Sequence, residues 1–570
     1  MKKAILAIAC LWLVAGCQQP TRTEADASAS MQWDAFVGAF LDSTFAANPP
    51  TGVWAGRHEF DGRLPDWSTA GLAAERARLR EARSRAQGFN VGSLDDQRRY
   101  EREYVLAAID ADLFWVESMQ WPSRSPGYYG SPLDPNVYVA REYAPLAQRM
   151  RAYISYAKAV PAAAAQIRAN LRTPMPRTYV ELGHIIFGGL ARFYENDVPG
   201  VFSAVNDASL QEEFRVANAG AIRAMNELDG WFTQQEGAAT EDFALGAEKF
   251  LQMLRATEQV DIPLPRLKEI GERDMERNVA ALRDACARLA PEQTVEACVA
   301  RVKSDKPARG PVEEAQKQLV SLRAFIERNG VVTIPGPELA KVGESPPYQR
   351  WNAAYIDTPG PYEKNLPSTY YIAPPDPKWT PAEQDAYIPG KADLLFVSVH
   401  EVWPGHFLQF LRANRAPSRV GQVFIGYAFS EGWAHYSEEM MWEAGLGDGD
   451  PATHVGQLLN ALLRNARFLS AIGLHTGGMT VAQSEAMFRH KALQDAGNSR
   501  QQAARGTFDP AYGNYTLGKL MIRKLREDWT ASRGGRRSWQ AFHDEFLGHG
   551  SPPIPMVRRL MLGGDGGGPL

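Results

Sequence analysis

Residues 397–409 read VSVHEVWPGHFLQ, with His400 followed by Glu401 and a second histidine, His406, six positions on. A His-Glu pair with another His nearby is the pattern of zinc peptidases, in which two histidines one helical turn apart bind the ion and the Glu activates water. Six residues at about 100° each separate the two side chains by roughly 120° around an ideal helix, so a regular helix cannot bring both to one ion. Pro404 cannot donate to the carbonyl of His400 and kinks or bulges the helix there. A bulge at Pro404-Gly405 that absorbs two residues would return His406 to the face of His400. Without that distortion, the pair reads as buried histidines beside a kink.

A second fragment follows, Phe429-Ser-Glu431-Gly-Trp-Ala-His435-Tyr436. Taken alone, Glu431 reads as a carboxylate favoured by the dipole at a helix N-terminus. After His-Glu and His, it completes a His₂Glu set that leaves one position for water, with one zinc per chain. His435, four residues on along the same face, is placed to orient Glu431 or to touch substrate. His454 belongs to no motif.

Working outward, the texture on either side is helical. From Met31 to Gly330 apolar residues recur every three or four positions, as in Ala73–Ala86, Asp95–Met119 and Val312–Arg328. Twelve prolines fall between Val331 and Lys391, which excludes a long helix there. Within that segment Ser368–Ile372 is β-prone, and it predicts a small sheet or hairpin just before the metal-site helix. An extended substrate could add to its edge, with Tyr371 as a contact. Helical pattern returns from Ala392. The expected fold is mainly α, a large multi-helix body with a small β element: residues 31–330 a helical N-terminal half, 331–391 a Pro-rich connection, and 392–570 the metal-site half.

The chain has 570 residues, 45% hydrophobic and 22% charged, which is globular composition. Lys plus Arg is 62 against 66 for Asp plus Glu, so no broad basic surface exists for nucleic acid. At the start, Lys2-Lys3 and an apolar run precede Val14-Ala-Gly-Cys17. This is a signal peptide over residues 1–16 that resembles the bacterial lipobox, with Cys17 lipidated. Gln18 after the Cys favours the outer membrane, facing the periplasm, and residues 17–30 read as a flexible tether, the only link to the membrane. Loss of Cys10 with the leader and acylation of Cys17 leave Cys286 and Cys298 as the one available disulfide, across a turn at Ala290-Pro291. The alternative is two separately buried thiols.

HEVWPGH with EGWAHY resembles family 885 of the bacterial domains of unknown function, mostly helical, zinc-peptidase-like proteins that are often lipoproteins. Trp54–Ser68, Gly473-Leu-His475 and Tyr515-Thr-Leu-Gly518 resemble the family's outer motifs, so the likeness covers nearly the whole mature chain. It implies His400, His406 and Glu431 as metal ligands and Glu401 as general base. Two positions depart from the pattern: Ala471 stands where Asp is common, and Asp509-Pro510-Ala511 replaces Pro-Gly-Gln.

The function this predicts is zinc-dependent hydrolysis of short peptides, as an oligopeptidase or carboxypeptidase. His475, Tyr515 and Tyr512 are candidates to donate to the oxyanion. Arg464 and Arg467, three apart, either pair with a substrate carboxylate or form salt bridges on a solvated face, the second being the expectation. The rival readings are a metal-dependent amidase acting on a non-peptide or cell-wall amide, and a lipoprotein that binds metal or ligand without turnover.

Overall fold

The computed structural model describes residues 24–564 and 567–570. The leader, Cys10, Cys17 and the first part of the tether lie outside the described residues. The chain is mainly α-helical with a single three-stranded sheet among the described residues. No helix among them is long and apolar enough to cross a membrane.

The first helix, α1 (Glu24–Ala47), begins inside the stretch expected to be tether. Ser30, Trp33, Phe36, Val37 and Phe40 are all buried at three- and four-residue spacing, and this packing carries the helix upstream past the polar composition. The helices that frame the site are α2 (Leu264–Leu289), α3 (Pro311–Asn329), α4 (Lys391–Glu401), α5 (His406–Ala413), α6 (Tyr427–Glu443), α7 (Pro451–Thr476), α8 (Ala496–Phe508) and α9 (Asn514–Thr530). α7 is buried around almost its whole circumference, polar residues included, and it lies at the centre, packed against α2, α4, α8 and α9.

The division at residue 330 is one of composition and not of packing. Leu267 and Leu282 of α2 and Leu322 of α3 share one core with Val399, Trp433 and Leu462 of the metal-site half. Residues between Tyr129 and Phe232 build a second core. A third joins α1 and Tyr104 to Val420 and Met556, so the first described helix packs near the last one. Apolar faces find partners across the whole chain because burial is non-directional, and sequence proximity does not limit it. Cys286 near the end of α2 and Cys298 in the following helix form the expected disulfide.

The Pro-rich connection supplies strands β1 (Ala340–Glu344), β2 (Ala354–Asp357) and β3 (Ser368–Ile372) in the order β1-β3-β2. β3 runs parallel to β1 and antiparallel to β2. Both edges of β3 are therefore occupied, and the segment expected to offer an edge to substrate is the central strand. The outer edge of this sheet on the cavity side belongs to β2.

A candidate metal centre

The two histidines meet where the chain takes up two extra residues, as expected, although the helix is interrupted there and not merely bulged. α4 ends at Glu401, the chain turns through Val402–Gly405, and α5 starts at His406. The turn is held by Val402 N–H donating to the Ser398 carbonyl at 3.0 Å and Gly405 N–H to the Val399 carbonyl at 3.0 Å. A Cβ at residue 405 would lie 1.8 Å from the His400 carbonyl oxygen, so only glycine fits this close return of the chain. Pro404 prevents α4 from continuing, and its carbonyl accepts from Trp433 Nε1 at 2.8 Å. The Trp of the second motif thus fixes the Pro of the first. The imidazoles end 4.9 Å apart and perpendicular.

Glu431 reaches both rings from α6. Its Oε2 lies 3.3 Å from His400 Nε2 and 3.1 Å from His406 Nε2. α6 is placed by its crossing with α9, where a Cβ on Gly432 would sit 2.4 Å from the Gly518 Cα. The same contact sets Tyr515 with its ring stacked 5.8 Å from that of His400. The glycines of the EGWA and Tyr-Thr-Leu-Gly motifs are therefore one helix contact seen from two sides.

The outer nitrogens of the two rings are also engaged, which assigns their tautomers. His400 Nδ1 lies 2.7 Å from Glu438 Oε1, so it carries the proton and donates. His406 Nδ1 lies 3.1 Å from Ser430 Oγ, whose hydroxyl donates to Gln409 Oε1 at 3.1 Å, so this Nδ1 donates as well. Both Nε2 atoms then present lone pairs, and they face a carboxylate oxygen. Three acceptors converging in this way are satisfied by a bound cation or, in the ion-free site, by a proton on one of the rings donating to Glu431. Among the described residues, His400, His406 and Glu431 are the only group whose ligand atoms gather in this way, all within 4.8 Å of one another. Two ligands at ~2.0–2.1 Å from a tetrahedral zinc are about 3.3 Å apart, close to the two separations from Glu431 found here. The donor set and its spacing fit a zinc ion.

The electrostatics of the ion-free site follow from the same proximity. Burial pushes the Glu431 carboxyl up, but the charge and hydrogen bonds of His406 and His400 outweigh it and hold it well below the usual range. Burial also depresses His400, and the carboxylates of Glu431 and Glu438 return it to above its ordinary value. Glu401 is raised, because burial disfavours its charge more than the two histidines favour it.

A cavity of about 280 Å³ opens on this group, just below the ~300–1,000 Å³ of ligand pockets. His400, Glu401, His406, Glu431, Arg467 and Tyr515 line it, as do Ala354, Tyr355 and Ile356 of the β2 edge. Several expected residues stand elsewhere. His475 is buried between Phe243 and Phe250 with Nε2 2.8 Å from the Gly506 carbonyl, a core position outside the cavity. Tyr512 is fully buried and Tyr371 stacks on Tyr355, and neither lines the cavity. His435 touches neither Glu431 nor the cavity: its Nδ1 lies 3.2 Å from Glu438 Oε2, one turn further along the same face of α6. Arg464 and Arg467 are each 5% exposed, so the solvated-face expectation fails, because α7 is buried on every side.

Four contributors were not anticipated from sequence: Glu438, Ser430, Gln409 and Arg505. Glu438 had a legible signal, lying seven residues after Glu431 and thus on the same helical face. Arg505 gathers the Tyr515 hydroxyl at 3.3 Å, the Tyr427 hydroxyl at 3.2 Å and the Asp509 carboxylate at 2.9 Å. Asp509 is one of the positions that departs from the family pattern, and here it balances Arg505.

The family model described as "Bacterial protein of unknown function (DUF885)" matches residues 49–561. No curated protein matches the chain. Among solved structures, the fold is similar to that of a protein from Shewanella oneidensis described as a "putative lipoprotein of unknown function", with 23% identity and a TM-score of 0.74 over 93% of this chain and 99% of that one. A second protein with the lipoprotein description, from Colwellia psychrerythraea, is 17% identical with a TM-score of 0.76 over 94% and 98% of the two chains.

Proposed function

We propose that this chain, which belongs to the bacterial DUF885 family, is a zinc-dependent hydrolase that cleaves amide bonds in short peptides. The observation that carries this reading is the convergence of His400, His406 and Glu431 beside Glu401 on one cavity wall. Bound there, a zinc ion would lower the pKa of water to about 7 and polarise a carbonyl. The Glu401 carboxyl, buried and raised above the ordinary range, is suited to take a proton from water and to hand it to the leaving nitrogen. Tyr515 is the one candidate oxyanion donor that reaches the cavity, with its hydroxyl oriented by Arg505. Backbone at the edge of β2 lines the same space, where an extended substrate can pair as an added strand. The small cavity favours short substrates over folded ones.

We place the protein in the cell envelope, anchored through Cys17 at the periplasmic face of the outer membrane. The leader pattern supports this, as does the lipoprotein description of both similar structures.

The test is metal content and hydrolysis measured together. Wild type is expected to carry one zinc per chain, and His406→Ala none. Glu401→Gln is expected to keep the zinc and to lose at least a hundredfold in kcat against a panel of di- to hexapeptides. Absence of zinc in wild type after supplementation would overturn the reading. Turnover of muropeptides in place of peptides would move it to a cell-wall amidase, and zinc without any turnover would leave a binding protein.

A further inference from the structure

Three buried arginines border the metal-ligand helices, and two of them have carboxylate partners. Arg464 Nη2 lies 3.4 Å from Glu438, and Arg505 Nη2 lies 2.9 Å from Asp509. Arg467 has no ion-pair partner among the described residues. Its Nε donates to Gln502 Oε1 at 2.7 Å, and its guanidinium carbon lies 4.5 Å over the ring of Tyr515. It is 5% exposed, yet it lines the cavity with His400, Glu401 and Glu431. Its terminal nitrogens are not among the sealed polar atoms that lack partners, so they open to the cavity.

A guanidinium taken out of water without an anion is costly, and it persists where a ligand supplies the anion. Burial together with the charges of Arg505 and Arg464 lowers the pKa of Arg467, the reverse of what an internal ion pair produces. The planar fork that remains free suits a carboxylate bidentately. The position also limits which carboxylate this is. Arg467 lies 4.5 Å from the Tyr515 ring, and that ring lies 5.8 Å from His400, so the guanidinium is at most about 10 Å from a metal-ligand ring. Each residue adds at most ~3.6 Å of extended chain, so only one or two residues fit between a bond cleaved at the metal centre and a carboxylate held by Arg467.

We propose that Arg467 binds the terminal carboxylate of a peptide substrate, so that the site removes residues from the C-terminal end. The inference rests on the hydrolase reading above and narrows it to a carboxypeptidase. In the reaction the amide C–N bond breaks, the hydroxyl of water joins the carbonyl carbon, and the other hydrogen of water goes to the leaving nitrogen. The products are a shortened peptide and a free C-terminal amino acid or dipeptide.

The test compares benzoyl-glycyl-phenylalanine with its C-terminal amide, by calorimetric binding to the zinc-loaded Glu401→Gln protein. The free acid is expected to bind tenfold to a hundredfold more tightly than the amide. Adding Arg467→Gln should bring that ratio close to one, and Arg467→Lys, which keeps the charge without the fork, should leave an intermediate ratio. Thermal melting checks that both variants fold, and the acid-to-amide ratio on unaltered Arg467 tests the proposal by itself. Equal binding of acid and amide, failure of both to bind at millimolar concentration, or a preference that survives Arg467→Gln would each overturn it. Turnover by wild type separates the two readings. Equal cleavage of peptides with free and amidated ends removes the carboxylate subsite and leaves the peptidase. Acid-selective binding without any turnover keeps the subsite and removes the peptidase.

Discussion

Glu438→Gln should weaken zinc binding although the side chain reaches no metal. Glu438 is fully buried, accepts from His400 Nδ1 at 2.7 Å and from His435 Nδ1 at 3.2 Å, and lies 3.4 Å from Arg464. A glutamine of the same shape has one acceptor oxygen, which cannot serve His400, His435 and Arg464 at once. If its amide nitrogen faces His400, the ring must accept at Nδ1 and carry its proton on Nε2, where the lone pair is needed. Loss of such a partner behind a metal-binding histidine costs tenfold to a hundredfold in affinity, or about 1.4–2.7 kcal/mol. The assay is zinc competition against a chelator at fixed pH, corrected for the folded fraction by thermal melting of the metal-free protein. The neighbouring Glu439→Gln is the control. Glu439 is also buried, though less completely, and pairs with Arg277 and Arg523 at 2.8 Å and with Lys519 at 3.4 Å, away from His400, His406 and Glu431. It should cost about 1–3 kcal/mol of stability, since Arg277 and Arg523 are partly exposed and Lys519 keeps Asp274, and leave zinc affinity unchanged. Wild-type zinc affinity in Glu438→Gln, or equal losses in both variants, would refute the argument.

Two further outcomes follow from packing and titration. Gly432→Ala puts a Cβ 2.4 Å from the Gly518 Cα, where backbone must move, so the variant should lose about 1–3 kcal/mol in denaturant unfolding. Because that contact also places Tyr515 against His400, turnover should fall in the remaining folded protein. Burial pushes His543 down to about 3, with its Nδ1 donating to the Val331 carbonyl at 2.8 Å and its Nε2 accepting from the Tyr436 hydroxyl at 2.7 Å. The unfolded chain takes up this proton near pH 6.5 and the folded one does not. The contribution is therefore complete above pH 6.5 and is lost as pH falls toward 3, at about 1.4 kcal/mol per pH unit. His543→Gln should flatten the fall in stability between pH 6 and 4 by that slope, and unfolding midpoints across the window would show it.

Much of the site was legible in the residue order because metal chemistry restricts which side chains serve and how helices present them. His400, Glu401, His406 and Glu431 announce themselves by type, and Cys286 and Cys298 by being the one pair left to bond. The prolines between Val331 and Lys391 excluded a long helix on local grounds, since each lacks an amide donor. What the residue order did not settle was which side of a buried element faces the cavity, and of the residues assigned on that basis Tyr515 reaches it while others do not. His475, Tyr512, Tyr371 and His435 carry suitable chemistry, but their helices and strand turn them into the core or toward Glu438. Arg464 and Arg467 looked solvated because three-residue spacing of cations on a helix is ordinary on a surface, and nothing local reveals that α7 is enclosed.

The sequence by itself determined the helical class, the distortion at Pro404-Gly405 and the candidate set His400, His406 and Glu431, because these follow from local backbone sterics and from ligand chemistry. Only the tertiary structure decided that the two extra residues are taken up in a break between two helices, that β2 and not β3 is the outer strand at the cavity, and that Arg467 stands buried without a counter-charge. Those outcomes come from long-range burial, which joins surfaces by shape and area and leaves no periodic mark in the order of residues.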